Sequence, residues 1–301
     1  GHSDTVWPLG TLQEMPLEIS GNVMRGPGVY DMKAGLTQMI FALRALHHVG
    51  LKPAVAPLLF ITTDEETGSE DSRTRICQLA MQVERVFVLE PSLGAKGKLK
   101  TARKGVGNFH ITAYGWAAHA GLDPDRGASA IVAMSNVIQQ LAALNDLEQG
   151  VSVNVGTVEG GERPNVIAPE CKIEVDVRIP RVADAQPLEH AIRNIVPNVP
   201  IVVLDIQGGI NRLPLERTPR NQALWHTAAR LGQQMGVELE EGSAGGGSDG
   251  NFTSQYTATL DGLGAVGDGA HARHEFIYID KLVERTLLLA LLLLEPHEDE
   301  R

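Results

Sequence analysis

The sequence is short of three things, and each shortage excludes a class of protein. It has 2 cysteines in 301 residues, Cys77 and Cys171, far apart in the chain. That is too few for a disulfide framework or a thiolate metal cluster. It lacks a basic surplus: 26 Lys and Arg stand against 37 Asp and Glu, a formal net charge of −11. A surface that tracks phosphates needs the opposite balance, so no nucleic-acid partner is expected. It also lacks a long apolar run. The longest aliphatic stretch, Leu287 to Leu294, is far too short to span a bilayer, and no membrane partner is expected. No signal peptide is visible, so a cytoplasmic location is the expectation. The opening residues Gly1-His2-Ser3-Asp4 do not read as a natural beginning, which leaves a periplasmic or secreted location open.

What is present is an ordinary globular composition, 43% hydrophobic and 21% charged. The length fits two domains. Apolar runs ending in acids or turns, at 55–62, 83–89 and 262–266, read as buried strands. Helical spacing marks 36–48, 72–82, 221–235 and 281–294. Strands alternating with helices predict an α/β domain with a mostly parallel sheet covered on both faces. The middle of the chain differs. Strands at 106–115, 151–158, 171–179 and 199–206, with helices at 127–144 and 184–195, follow the β-α-β-β-α-β order of a ferredoxin-like unit. The expected organisation is a discontinuous catalytic domain, 1–101 and 214–301, interrupted by an inserted α+β domain, 102–213.

Five candidate metal ligands stand out: His2, Asp31, Glu66, Glu90 and His271. All but His2 lie just beyond an apolar run or at a helix start, and in an open α/β sheet ligands bind outside the carboxyl ends of the strands. Two imidazoles and three carboxylates without a thiolate form a nitrogen–oxygen set that suits zinc, and less strongly cobalt or manganese. If Asp31 bridges two ions, one takes His2 and Glu90 and the other Glu66 and His271. Two divalent ions less three carboxylates leave one positive charge, which suits activation of a water for hydrolysis. Glu65 sits spare beside a ligand and can take the proton of that water. Asp4, two residues from His2, can hold the other imidazole nitrogen. Each residue alone also has a bland reading. Acids after a strand are often only a helix start, and a lone His or Asp at a turn is often a cap or a solvated group.

The ordered segments GHSDTVWPLG, GPGVYDMKAG, TTDEETGS, LEPS, GWAAHAG, ERPNVIAPECKIEVDVRIP, GGGSDGNF and GDGAHARHE resemble the two-zinc aminoacylase and carboxypeptidase family. That family includes glutamate carboxypeptidases, acetylornithine deacetylases, succinyl-diaminopimelate desuccinylases and some dipeptidases. The likeness runs from residue 1 to about 285, and Trp7-Pro8-Leu9-Gly10 most resembles the glutamate carboxypeptidase branch. It implies a zinc-exopeptidase-like catalytic domain with a ferredoxin-like lid that serves dimerisation. It also implies strands and helices ahead of the first motif, without which a sheet edge and apolar surface are expected to be exposed.

The resemblance places the five ligands, the base Glu65 and the supporting acid Asp4 on the residues already singled out. It adds His119, matching a histidine that reaches the partner's active site and stabilises an oxyanion. Arg178 and Asn165 match contacts to the substrate's free carboxylate. Without the resemblance His119 is a loop histidine, Asn165 a turn residue beside Pro164 and Arg178 a charge on the wet face of a strand. The physical case for Arg178 is that a guanidinium binds a carboxylate with two hydrogen bonds. Gly246, Gly247 and Ser248 are expected to let substrate approach the backbone.

The expected function is a dinuclear zinc hydrolase acting on a small peptide or N-acyl amino acid, releasing C-terminal glutamate or a similar residue. An N-acyl amino acid deacylase and an inactive binding homologue are the alternatives. The expected assembly is a homodimer through the lid.

Overall fold

The structure, a computed structural model, describes residues 1–296. The chain divides into two compact units, one of Gly1–Arg103 with the residues from Leu215 onward, the other of Lys104–Pro214.

The inner unit has a clear sequence logic. In strand Glu170–Ile179 the residues Cys171, Ile173, Val175, Val177 and Ile179 are buried, while Lys172 and Glu174 face solvent. Strands Gly105–Tyr114, Ser152–Gly160 and Val203–Arg212 join it in one antiparallel sheet. From edge to edge the order is Ser152–Gly160, Glu170–Ile179, Gly105–Tyr114, Val203–Arg212. This is the strand order of a split β-α-β arrangement. Helix Ala130–Ala142 starts where the Ser129 hydroxyl accepts the Val132 N–H. Its Ala133, Met134, Val137 and Leu141 pack with Phe109 and Ile111 of the sheet, all almost fully buried.

The outer unit carries shorter ladders. Ala258–Leu260 pairs in parallel with Arg85–Phe87, and Leu99–Arg103 in parallel with Glu241–Ala244. A separate four-stranded antiparallel sheet runs Glu18–Ser20, Val23–Arg25, Phe276–Tyr278, Gly267–Asp268. Helices Ala34–His48, Pro219–Gln234 and Ile279–Leu294 share one apolar core through Leu46, Leu224, Leu231, Leu288 and Leu292. Pro219–Gln234 begins with a proline behind Thr218, whose hydroxyl accepts the Asn221 N–H.

Two expected strands differ. The run at 262–266 is a buried connection between strands Ala258–Leu260 and Gly267–Asp268, because Gly262 takes φ +75° and Gly264 packs against a carbonyl. The run at 55–62 is extended but forms no ladder among the described residues, apart from the parallel bridge of Thr62 to His2. A strand exists only if its N–H and C=O groups find a neighbour. Here the neighbouring space is an apolar cavity of about 470 Å³ between Val55–Phe60 and Val83–Leu89. Leu58, Leu59 and Ile61 are correspondingly 44–55% exposed. The mostly parallel sheet expected for this unit is therefore two parallel pairs beside an antiparallel sheet.

Backbone packs tightly around Leu89. A Cβ on Gly35 would lie 2.0 Å from the Leu89 carbonyl oxygen, and one on Gly264 2.3 Å from the same atom. The two glycines grip the chain immediately before Glu90, and Gly35 stands in the first turn of the helix that follows Asp31. Gly35→Ala is expected to cost about 1–3 kcal/mol by overpacking, read as a lower denaturant midpoint at unchanged slope. An unchanged midpoint would contradict this packing.

Candidate metal centre

The five expected ligands come from five separate stretches of chain, all in the outer unit. His2 is fixed by the bridge to Thr62, with the Thr62 N–H donating to the Gly1 carbonyl and the Ser3 N–H to the Thr62 carbonyl. Asp31 lies in an irregular turn, 29–33, whose Asp31–Met32 peptide bond is cis. Glu66 follows Glu65 in the single turn Glu65–Thr67. Glu90 follows strand Arg85–Phe87. His271 sits beyond Gly267–Asp268 with φ +61°, a backbone conformation unusual for a non-glycine residue.

The structure brings these side chains together as two triads, His2–Asp31–Glu90 and Asp31–Glu66–His271, which share Asp31. His2 Nε2 lies 3.3 Å from Asp31 Oδ1 and 3.3 Å from Glu90 Oε1. His271 Nε2 lies 3.4 Å from Asp31 Oδ2 and 3.2 Å from Glu66 Oε2. Tetrahedral ligands at about 2.0–2.1 Å from a zinc ion stand about 3.3–3.4 Å from one another, so the spacing fits. Asp31 presents one oxygen to each triad, as a bridge requires. Glu66 Oε1 is buried yet receives no hydrogen bond, and buried acceptors ordinarily have a partner. The donor set therefore fits two divalent ions.

The electrostatics agree. Burial alone would lower the His2 pKa, but hydrogen bonds to Asp31 and Glu90 push it up to about 11. A hydrogen bond to Asp31 and the charge of Glu66 raise His271 to about 9. Burial would raise Asp31, yet the two imidazoles hold it below the ordinary aspartate value. Burial and the neighbouring Asp31 push Glu66 up. Such a cluster attracts positive charge, as protons or as metal.

Asp4 behaves as a support. Its Oδ1 lies 3.4 Å from His2 Nδ1, its backbone oxygen 3.1 Å from the same nitrogen, and its Oδ2 accepts the Glu66 N–H at 2.9 Å. One carboxylate thus steadies a ligand of each triad. Glu65 is buried beside Glu66, and its charge acts on His2.

The glycine-rich loop is held by Arg103, which no sequence motif singles out, and by Asp261. Arg103 donates to the Gly246 and Gly247 carbonyls at 3.0 and 3.1 Å and grips Asp261 with two hydrogen bonds of 2.7 and 3.1 Å. It also stands 3.6 Å from Glu90 Oε2. Ser248 is fully buried, and its hydroxyl donates to Asp261 at 2.6 Å, so its side chain anchors the loop. Gly246 remains exposed and Gly247 half-buried. Asp261 was legible by the same rule as the ligands, since it too ends an apolar strand. A second residue without a sequence signal, Glu275, lies four residues after His271.

The remaining expected site residues lie in the inner unit. His119 is exposed, and its Nδ1 accepts the Gly121 and Leu122 N–H groups at 3.1 Å. Asn165 is its neighbour: the Ala120 N–H donates to the Asn165 carbonyl, and His119 bridges to Val166. Arg178 is half-buried, with its fork engaged by Asp176 at 2.8 and 2.7 Å.

A cluster of two imidazoles and three carboxylates beside a further buried glutamate fits a metal-dependent hydrolase. The chain belongs to peptidase family M20/M25/M40, whose model matches residues 1–295. It is 26% identical over 302 residues to carboxypeptidase G2 of a Pseudomonas species, covering 98% of this chain and 72% of that protein. It is 24% identical to succinyl-diaminopimelate desuccinylase of Wolinella succinogenes, covering 97% and 82%. Among solved structures the fold is similar to the aminopeptidase PepT of Bacillus cereus, with TM-score 0.79, 20% identity and coverage of 97% and 78%. It is also similar to a metallo-carboxypeptidase of Sulfolobus solfataricus, with TM-score 0.71, 15% identity and coverage of 97% and 83%. The chain is thus a metallopeptidase or amidohydrolase of a family that uses divalent metal. No helix among the described residues is long and apolar enough to cross a membrane.

The buried pair behind the centre generates a stability prediction. Burial would raise the Asp261 carboxyl, but the charges of Arg103 and Lys100 hold it below its ordinary 3.8. Its contribution is therefore present above pH 3.8 and fades as pH falls through the lower folded value. Asp261→Asn removes the nearer of the two carboxylates that face buried Arg103 and is expected to cost about 3–5 kcal/mol at about pH 7. The difference from wild type should shrink in acid. Chemical denaturation of both proteins at several pH values checks this, and a difference independent of pH would contradict it.

Proposed function

We propose that the chain is a dinuclear zinc hydrolase that cleaves an amide bond next to a free carboxylate, releasing C-terminal glutamate or a similar amino acid. The observation that carries this reading is the pair of triads sharing Asp31 with Glu65 at their side. Two bound ions, with cobalt or manganese as alternatives to zinc, would polarise the scissile carbonyl and make a water acidic enough to attack at neutral pH. Asp31 would hold both ions, with His2 and Glu90 completing one set and Glu66 and His271 the other. Glu65 takes the proton of the attacking water and returns it to the leaving amine. Asp4 fixes the His2 imidazole. His119 donates to the oxyanion of the tetrahedral intermediate. Arg178 and Asn165 bind the substrate carboxylate, with Arg178 exchanging Asp176 for the substrate. Gly246 and Gly247 let substrate lie against the backbone.

The inner unit, as a ferredoxin-like lid, is the proposed dimerisation surface, with His119 supplied by a second copy. Ile131 and Val132, 45% and 53% exposed on helix Ala130–Ala142, support that surface, as does the edge strand Ser152–Gly160. The relative named carboxypeptidase G2 favours a peptidase. The desuccinylases favour a second reading, an N-acyl amino acid deacylase with the same chemistry and a different acyl pocket. An inactive homologue is disfavoured, because all five ligands and Glu65 are retained.

Glu65→Gln is expected to lower kcat by about 10²–10⁴-fold while metal content stays at the wild-type level. Wild-type turnover in that variant would sink the mechanism. A panel of C-terminal glutamate peptides, dipeptides and N-acyl amino acids, each with its C-terminal amide, separates the two readings. Arg178→Ala should raise KM for the free acids and leave the amides unchanged. An equal effect on both would remove Arg178 from carboxylate recognition.

A further inference from the structure

Glu275 is 1% exposed, and its carboxylate accepts four hydrogen bonds. Three come from the backbone of the Asp31 turn: Gly28 N–H at 2.7 Å, Tyr30 N–H at 2.9 Å and Asp31 N–H at 3.0 Å. The fourth comes from Trp7 Nε1 at 2.9 Å. The Gly26 N–H also donates to the Glu275 carbonyl. A buried carboxylate is costly unless fully hydrogen-bonded, and converging backbone N–H groups can hold one. All four donors thus find their acceptor on one buried carboxylate. Its place in the chain gives the arrangement a purpose. Glu275 follows His271 by four residues, Trp7 follows His2 by five, and the three backbone donors are Asp31 itself and two residues just before it, Gly28 and Tyr30. One carboxylate thus joins three of the five ligand-bearing segments without lying in either triad. Its charge also helps raise His271.

We propose that Glu275 is a positioning residue of the metal centre, setting the separation of Asp31 and His271 and so the affinity of the Asp31–Glu66–His271 triad. This rests on reading the triads as metal sites. Glu275→Gln keeps the shape but turns an NH₂ group toward N–H donors, leaving part of the clamp unmade. The Asp31 turn is then free to shift relative to His271, while Glu90 and its triad partner His2 keep their own supports.

The test is titration of metal-free wild type and Glu275→Gln with cobalt(II), followed by visible absorption and by competition with a chelator. Wild type should bind two ions. The variant should bind at least one ion about 10–100-fold more weakly, with a changed absorption band. If Glu275→Gln does not fold, Trp7→Phe removes a single hydrogen bond to the carboxylate and should weaken the same ion several-fold. A wild type that takes up no metal overturns the metal-site reading and this proposal together. A wild type that binds two ions, beside variants with unchanged affinities and spectra, overturns the role of Glu275 alone. A drop in thermal stability with unchanged cobalt binding would make Glu275 merely structural and likewise overturn it.

Discussion

Like charge at close quarters is the constraint on which the rest of the structure depends. Asp31, Glu66 and Glu90 contribute oxygens to triads whose ligand atoms lie within 4.8 Å of one another, and Glu65 is buried beside them. Carboxylates that close cannot all stay ionised without compensation. Compensation comes from His2 and His271 between them and from Arg103 behind Glu90. The same charge density that makes such a cluster costly on its own suits it to divalent metal.

Supporting groups hold this tension in place. Asp4 joins His2 to the turn carrying Glu66. Arg103 and Asp261 join Glu90 to the glycine-rich loop. Glu275 joins the Asp31 turn to the segment carrying His271. Asp4 and Glu275 bond mainly to segments that carry a ligand, whereas Arg103 and Asp261 pair with each other. The charges of the centre thus rest on a wider polar framework.

Much of the site was legible because its ligands stand where apolar runs stop. Glu90 ends one such run and Asp31 stands just ahead of a helix, and the alternation in 171–179 marks the sheet of the inner unit as plainly. The run at 55–62 shows the limit. Its composition is that of a strand, but pairing is a property of two segments, and no ladder forms beside its cavity among the described residues. Ser248 shows another limit, since a small polar residue in a glycine-rich loop reads the same whether its hydroxyl faces solvent or a buried aspartate. Glu275 was missed because a buried acid bound by backbone N–H groups leaves no pattern in neighbouring side chains.

The central claim is that Asp31 is shared by two ions. Anomalous diffraction from crystals of zinc-loaded protein tests it most directly. The account predicts two peaks about 3.5–4 Å apart, one on each side of the Asp31 carboxylate, with His2 and Glu90 at one and Glu66 and His271 at the other. No peak at this cluster, or a single ion that leaves Asp31 uncoordinated, would contradict it.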